Sequence, residues 1–465
     1  MPCDTTKVVS TLARLLSAFE KLMTVEEPTN TSASWGWLSS LRLSNPKVWQ
    51  LAAGRALNQI GAGLINFYIP IVFVNEVGLS AASVGFSFGL VSLTEVVGHL
   101  VGGPLADSPK FGRKRTLMIA TGVFLAVSLL LTVTHSVPLL IAACLLMGFG
   151  LGGYWTTVNA TVIDITLPEE RHQAYAIVSV ADNLGVGMGV LLGGAFLTLT
   201  EHRAQLVFAG CALIFVAFLL LAQIIFSNIP HPQTDHESES QGLWAALKDR
   251  CLLVYMIANS LFTGYVALVT STIPLYFTNF VPAVGATDAA LASTAKLFTW
   301  CYIAFGTVLQ LPLVQLFNRL KHVHVLMVAM LLWATGFSLV WGTGIATSAQ
   351  YTWGVVALCT MSIASVLHKP FAAAILSELA PANLRATYVA VGSQSWAIGF
   401  FIAPIFGGWA MDHTVEIADR SWLVAASTTI LGLIVLKVFE IMQSNRAAIA
   451  PVTNTEPQTQ EVAQP

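Results

Sequence analysis

The sequence has little charge: 10% of its 465 residues are Asp, Glu, Lys or Arg, whereas 55% are hydrophobic. A water-soluble protein of this length needs many charged residues on its surface, so the composition excludes a soluble multidomain protein and indicates a membrane protein. The formal net charge is −2, without the positive excess that is typical of proteins that bind nucleic acids. We therefore expect no nucleic-acid partner.

Motifs for catalysis and metal binding are also missing. The six cysteines are scattered singly, with no CxxC pair and no metal-ligand spacing, which predicts buried thiols, no disulfide framework and no metal site. No G-x-x-x-x-G-K-S/T loop is present, so ATP hydrolysis is not predicted, and we expect neither an enzyme nor a bound cofactor. The first residues lack an apolar core followed by a small-residue cleavage site, so we expect no cleaved signal peptide.

Long apolar runs dominate the rest of the chain. A helix needs about 20 apolar residues to cross about 30 Å of hydrocarbon, and twelve segments meet this requirement. None shows the strict two-residue alternation of barrel strands, so the predicted fold class is an all-α polytopic membrane protein with 12 transmembrane helices. The approximate limits are residues 48–74, 80–105, 116–134, 137–163, 174–199, 205–227, 250–280, 291–316, 324–345, 351–377, 386–411 and 422–443.

The Lys and Arg residues of the short loops predict the orientation of the chain. If the N-terminus is cytoplasmic, ten of these cations lie inside and two lie outside, so both termini are predicted to be cytoplasmic, in a plasma or inner membrane. The inner cations are Lys110, Arg113, Lys114, Arg115, Arg171, Lys248, Arg250, Arg319, Lys321 and Arg385, and the outer ones are Arg203 and Arg420.

The spans divide into two predicted six-helix bundles. An internal repeat supports this division, because Arg171, Gly185, Gly193 and Gly194 recur 214 positions later (385 − 171 = 214) as Arg385, Gly399, Gly407 and Gly408, which matches the fifth span to the eleventh. A weaker echo relates FGRKRTLMIA, from Phe111, to LKHVHVLMVA, from Leu320. The predicted domains are an N-terminal tail (1–46), an N-terminal bundle (47–227), a polar acidic linker (228–249), a C-terminal bundle (250–445) and a disordered tail (446–465).

The N-terminal tail has apolar residues at helical spacing, which predicts an amphipathic helix. This helix lies either on the inner membrane face or against the cytoplasmic side of the protein itself.

The loop GGPLADSPKFGRKR, from Gly102 to Arg115, resembles the signature loop of the major facilitator superfamily, G-x-L-A-D-R-x-G-R-K/R-R, which joins spans two and three. Two extra residues separate Asp107 from Gly112, and Ser108 stands where the family has arginine. The resemblance covers nearly everything between the first and twelfth spans. It implies a 6+6 pseudo-symmetric fold that works by alternating access.

The resemblance also implies residues for gating. The loop acts in the family as a cytoplasmic latch, whose aspartate favours the positive end of a helix dipole, here the start of the eleventh span. The alternative is that the cations only set the topology. The implied gating residues are Gly103, Asp107, Gly112, Arg113, Lys114 and Arg115 in the loop, and Asp164, Arg171, Glu378 and Arg385 in the charge network around it.

Within the superfamily the chain is nearest in pattern to the drug and proton antiporters, but two of their signatures are degenerate. Span four has Cys144, Met147 and Gly148 in place of R-x-x-Q-G. Span five lacks the proline of G-P-x-x-G-G and has Val190 at that position.

Charged side chains inside the spans are candidates for coupling or substrate binding, because each costs at least about 2.5–3.5 kcal/mol in the bilayer centre. Arg55 in span one is predicted at the same depth as Glu95 in span two, and His99 lies on the same helical face as Glu95. Either Glu95 or His99 is a protonatable coupling site, or Glu95 forms a static ion pair with Arg55.

The remaining candidates are Asp182 and Asn183 in span five, His368 and Lys369 in span ten, and Gln394 in span eleven. Asp182 is either a proton or cation site or a structural ion-pair partner. Lys369 neutralises an anionic substrate, pairs with Asp182 across the bundle interface, or extends to the membrane surface. The glycines that surround Asp182 are predicted to allow close helix packing.

These residues predict a secondary active carrier that moves a small molecule by rocking two bundles around a central site. Proton-coupled export of an amphiphilic compound is the favoured hypothesis, because the other residues that could line a cavity are uncharged and include the aromatic Tyr68, Trp155, Tyr265 and Trp396. It requires Glu95 or Asp182 at the cavity, whereas uptake or facilitated transport of a polar metabolite or organic anion requires Lys369 there. A transporter-like receptor or assembly factor without flux is the third hypothesis. The expected partners are a small-molecule substrate, protons and the lipid bilayer, and the sequence leaves the oligomeric state open.

Overall fold

The computed structural model describes residues 45–167, 170–199, 205–225, 246–281, 290–381 and 384–449. Twelve helices in these ranges are long and apolar enough to cross a membrane, and the same ranges contain no β-strand. The predicted all-α polytopic fold is therefore confirmed. The helices are α1 Pro46–Asn75, α2 Ala81–Asp107, α3 Gly112–Thr132, α4 Val137–Ile165, α5 Arg171–Leu199, α6 Leu206–Ile225, α7 Arg250–Asn279, α8 from Ala290–Phe298 through Thr299–Ala304 to Phe305–Phe317, α9 His322–Ile345, α10 Gln350–Leu379, α11 Arg385–Met411 and α12 Val415–Ile449.

Because the number of spans is even, both ends of the described chain lie on one side of the helices. We term the side that holds Asn45 and Ile449 the terminal face, and the opposite side the distal face. Odd-numbered helices run from the terminal to the distal face, and even-numbered helices return. The predicted tail and linker fall mainly on residues 1–44, 226–245 and 450–465, which lie outside the described residues.

Side-chain caps fix the starts of several helices. The Asn45 side chain accepts a hydrogen bond of 3.0 Å from the backbone N–H of Lys47, and Pro46 occupies the first turn of α1, where no intrahelical partner is lost. Ser80 caps α2, and Asp249 caps α7 by accepting from the N–H of Cys251 at 2.9 Å. Gly112 begins α3 with a φ of 67°, a backbone conformation that favours glycine.

The helices pack in a pattern that repeats after six. Helix α1 packs against α5 and α6, and in the same way α7 packs against α11 and α12. Helix α2 packs against α4, as α8 does against α10. Helix α3 packs against α4 and α6, as α9 does against α10 and α12. This repetition defines two six-helix bundles, α1–α6 and α7–α12, here termed the N-bundle and the C-bundle. They agree with the two bundles that the sequence repeat predicts.

Glycines bring helices of the N-bundle close together. A Cβ atom on Gly185 would collide with the carbonyl oxygen of Ala56, and one on Gly189 would collide with that of Ile60. Because these glycines have no Cβ atom, α5 lies directly on the backbone of α1, as is common where small residues line the contact between membrane helices. The predicted packing role of these glycines agrees with the structure.

Two helices of the C-bundle contain a π-helical turn that the sequence reading did not predict. The turn in α7 spans Leu268–Thr272 and that in α8 spans Thr299–Ala304. In α7, Pro274 follows the turn and has no N–H to donate to the preceding turn, which disturbs the regular α-helical ladder. Such turns are often found near functional sites, and the α8 turn packs against α5 of the other bundle.

Candidate functional site

Charged and aromatic side chains form a layer at one depth between the two faces. Arg55 lies nine residues from the terminal end of α1 (55 − 46), Asp182 eleven from that of α5 (182 − 171) and Lys369 ten from that of α10 (379 − 369). At a rise of 1.5 Å per residue, this depth is about 14–17 Å along the helices. We term these residues, with Trp155 and Trp396, the central layer.

Arg55 and Asp182 form a two-point ion pair across the α1–α5 contact. Nη2 of Arg55 lies 2.5 Å from Oδ2 of Asp182, and Nε donates to Oδ1 at 3.0 Å. The side chains are 5% and 14% exposed, and the guanidinium also lies 5.2 Å from the ring centre of Trp155. This fork geometry is the strong form of an Arg–carboxylate contact. The predicted pairing of Arg55 with Glu95 is therefore wrong, because the close packing of α5 on α1 presents Asp182 to the guanidinium.

Lys369 stands opposite this ion pair on the C-bundle. Its side chain is exposed although it lies far from either end of α10, and its ammonium nitrogen is 5.9 Å from the ring centre of Trp396. Its charge is near enough to that of Asp182 to interact across the bundle interface, although no ion pair joins the two among the described residues. An exposed side chain inside a span that faces the other bundle must border a space between the bundles, here termed the cleft.

His368, by contrast, lies inside the C-bundle. Its side chain is 1% exposed, its ring stacks on Phe262 with centroids 4.4 Å apart, and Nε2 lies 2.7 Å from Oδ1 of Asn259. The structure thus separates the two candidates of span ten, because His368 is buried within the C-bundle and Lys369 is exposed. Asn183 is half-buried beside Asp182 on α5.

Glu95 and His99 lie together on α2. His99 Nε2 is 3.7 Å from Glu95 Oε1, and His99 Nδ1 is 2.8 Å from the hydroxyl of Thr156 on α4. The side chains of His99 and Glu95 are 43% and 28% exposed, so this pair, unlike Arg55 and Asp182, has direct access to a space outside the helix packing.

Helices α2 and α11 form the main seam between the bundles. In the distal half a Cβ on Gly85 would collide with the carbonyl oxygen of Pro404, and one on Gly408 with that of Ala81, so the two backbones touch. His99 on α2 lies on the same helix face as Gly85, two steps of seven residues away (99 − 85 = 14), and Ala390 on α11 lies on the same face as Pro404 (404 − 390 = 14). Both His99 and Ala390 are exposed. The seam is therefore closed in the distal half, and these two positions are accessible in the terminal half. Gln394 lies on this face of α11 and, among the described residues, its side chain donates to the carbonyl of Ala390 in its own helix.

Hydrogen bonds reinforce the closed distal half. The carboxylate of Asp412, after the end of α11, accepts from the backbone N–H groups of Ala81 and Ala82 at 2.5 and 2.8 Å. The side chains of Asn75 and Asn279 exchange hydrogen bonds of 2.8 Å between α1 and α7. Asp412 thus caps a helix of the opposite bundle. The sequence analysis missed it, because at the end of a span it resembles any loop carboxylate.

The signature loop forms a charge network within the N-bundle. Arg113, which is 7% exposed, lies between Asp107 at 2.6 Å and Asp164 at 2.9 Å. Lys114 donates to the carbonyl of Gln223 at 2.9 Å and Arg115 to that of Lys110 at 2.6 Å. These contacts tie the ends of α2, α3 and α4 together. Gly103 is half-buried and Arg171 begins α5.

The corresponding part of the C-bundle contains histidine in place of arginine. His322 Nδ1 lies 2.8 Å from Oε1 of Glu378. In the repeat, His322 aligns with Arg113, and Glu378 aligns with Asp164 at the offset of 214 (378 − 164). Arg385 begins α11, but its side chain lies outside the described part of the structure.

Asp249 anchors the start of α7 to two other helices. Oδ2 accepts from Tyr388 of α11 at 2.8 Å and from Arg446 of α12 at 3.0 Å. Partial burial raises the pKa of Asp249, but the hydrogen bonds from Tyr388, from the Cys251 N–H and from Arg446 outweigh it, so the pKa is lowered overall.

Comparison with known proteins gives similarities to membrane transporters. The family model described as Major Facilitator Superfamily matches residues 51–295. The multidrug resistance protein MdtH of Yersinia pestis (strain Pestoides F) is 27% identical over 379 residues, which cover 79% of this chain and 87% of that protein.

Solved structures show the same arrangement of helices. The nucleoside transporter NupG superposes with a TM-score of 0.71 at 14% identity, covering 85% of this chain and 99% of that one. A variant of the peptide transporter POT in complex with alafosfalin gives a TM-score of 0.70 at 14% identity, covering 86% and 95%. At these identities the likeness concerns the fold alone.

Proposed function

The chain belongs to the major facilitator superfamily of membrane transporters, and on this premise we propose that it carries an amphiphilic organic anion through the cleft between its bundles. The substrate would combine an aromatic or apolar body with one anionic group. The cytoplasm would lie at the terminal face, as the loop cations predict.

The charge balance of the central layer supports an anionic substrate. Arg55 and Lys369 are two cations and Asp182 is a carboxylate that interacts with both, whereas Glu95, at a similar depth on α2, lies beside His99. Because Asp182 already neutralises Arg55 through the fork, these three side chains keep a net positive charge (two cations and one carboxylate). A cation inside a span is costly, so an anion that binds beside Lys369 would offset part of that cost. This single observation carries the proposal.

The surroundings of Lys369 fit the rest of such a substrate. Trp396 is 36% exposed beside the ammonium and stacks on Phe400, with centroids 5.6 Å apart. Trp155 lies half-buried on the N-bundle side. Ligand sites commonly combine apolar and aromatic walls with a few polar groups that fix orientation.

Flux into liposomes that contain the purified protein tests the proposal. An aryl sulfonate, an aryl carboxylate and an aryl trimethylammonium of similar size would be compared, with protein-free liposomes to measure leak. We expect flux of the two anions. Lys369→Met should reduce anion transport about 10- to 150-fold, since a hydrogen bond to a charged group contributes about 1.5–3 kcal/mol. Lys369→Arg should retain part of it.

Lys296→Met provides the matched control. Lys296 is an exposed lysine near the distal end of α8, so its loss removes the same charge away from the central layer. Flux of the trimethylammonium compound but of neither anion would overturn the proposed substrate class. Absence of flux for any compound, with the protein folded, would favour a receptor or assembly factor.

Proton-coupled export is the second candidate. The resemblance to a protein named for multidrug resistance and the accessible Glu95–His99 pair favour it. Internal pH would be recorded in the same liposomes during transport by the wild type, Glu95→Gln and Asp182→Asn. Loss of proton movement in Glu95→Gln with flux retained would identify the coupling site, and unchanged coupling in both variants would exclude both residues.

A further inference from the structure

A second cavity lies outside the cleft, at the terminal end of the C-bundle. It is a basin of about 690 Å³ between the α8–α9 connection, the end of α10 and the end of α12. The titratable residues that line it are Arg319, Lys321, His322, Glu378, Lys437 and Glu440.

The basin has more positive than negative charge available to a ligand. Glu378 is occupied by His322 at 2.8 Å, and Glu440 by Lys437 at 2.7 Å and His324 at 2.9 Å. The exposed side chains of Arg319 and Lys321 form no hydrogen bond or ion pair with the residues that the structure describes. Two cations are therefore free to bind an anion.

The repeat explains why this space is open. In the N-bundle the equivalent position holds Arg113, whose long side chain fills the gap between Asp107 and Asp164. In the C-bundle the shorter side chain of His322 reaches only Glu378, and these two side chains remain 26% and 47% exposed. The basin is thus the C-bundle counterpart of a site that an internal arginine fills in the N-bundle.

The position of the basin indicates which anion it binds. It lies where the helices end at one membrane surface, and exposed apolar side chains lie in and beside it: Leu316 near the end of α8, Leu320 in the α8–α9 connection and Ile441 on α12. Basic pockets at such positions bind anionic lipid headgroups, with acyl chains along the apolar surface. We infer that the basin binds the phosphate-bearing headgroup of an anionic phospholipid through Arg319 and Lys321.

Native mass spectrometry of the full chain in detergent, titrated with phosphatidylglycerol or phosphatidylcholine, tests this inference. We expect phosphatidylglycerol to bind more tightly than phosphatidylcholine. The double variant Arg319→Gln with Lys321→Gln should weaken phosphatidylglycerol binding about 25-fold, from about fivefold for each cation near the membrane surface.

The control double variant is Lys47→Gln with Lys110→Gln, which removes two exposed cations from the terminal face of the N-bundle. It should bind phosphatidylglycerol as the wild type does. Equal binding of the two lipids, or a loss below twofold in the Arg319/Lys321 variant, would overturn the inference. A separate thermal-unfolding series with inorganic phosphate distinguishes a lipid headgroup from free phosphate as the ligand. If phosphate raised the melting temperature as much as the lipid does, and this rise were lost in the Arg319/Lys321 variant, the basin would be assigned to free phosphate instead.

Discussion

Asp412→Ala should shift the protein away from the state with a closed distal seam. The Asp412 carboxylate accepts two hydrogen bonds, of 2.5 and 2.8 Å, from the first turn of α2 in the other bundle. Loss of a helix cap costs about 0.5–2 kcal/mol. Ser80 still caps α2 after the change, so the cost falls on the contact between the bundles and not on the helix itself. The ratio of distally open to distally closed molecules should rise about 2- to 30-fold.

Spin-label distance measurements between His135→Cys and Ser348→Cys provide the assay, because these exposed positions lie at the distal face of the N- and C-bundles respectively. Asp412→Asn keeps one acceptor oxygen and should give an intermediate shift. Glu416→Ala is the matched control, since its ion pair with Arg420 stays within α12. A distance distribution in Asp412→Ala that matches the wild type, or that moves no further than in Glu416→Ala, would refute the role of Asp412 in closing the distal seam.

Two further predictions concern stability. Arg55→Leu should lower the free energy of unfolding by about 3–5 kcal/mol, because it leaves a buried carboxylate unpaired. Adding Asp182→Leu should recover most of this loss. Denaturant unfolding measures both effects, and a double variant no more stable than Arg55→Leu would contradict the explanation. Asp249 has a lowered pKa, so its stabilisation is complete above its unfolded pKa of about 3.9 and is lost as pH falls through the lower folded value. Melting temperatures between about pH 6 and 3 should therefore fall less in Asp249→Asn than in the wild type; parallel curves would count against this role.

The twelve spans could be predicted from hydropathy because length and apolar content determine which segments cross a membrane. The predicted ends of the helices were less accurate where charged residues continue a helix beyond its apolar run. Helix α3 begins at Gly112, so Arg113, Lys114 and Arg115 belong to it, whereas the apolar run predicts a start near residue 116. Helix α12 likewise extends to Ile449.

The partners of the charged residues could not be predicted from depth alone. Arg55 has two carboxylates at similar depth, Glu95 and Asp182, and only the packing of α1 against α5 selects the second. Asp412 has no local sequence signal, because its partners are N–H groups 330 and 331 positions away in the chain. The pairing of Lys369 with Asp182 stays one of the predicted alternatives, because no ion pair joins these two side chains among the described residues.

We propose that the bundles enclose a cleft whose access alternates between the two faces. Reaction of Ala390→Cys with a membrane-impermeant maleimide, applied from one face of sealed vesicles at a time, tests it most directly, with distal Ser348→Cys to calibrate sidedness. Ala390 should react only from the terminal face, because its position is accessible there and the α2–α11 seam is closed distally. Adding a transported aryl sulfonate should slow this reaction as the terminal half closes. Equal reaction from both faces, or a rate that the substrate does not change, would contradict the account.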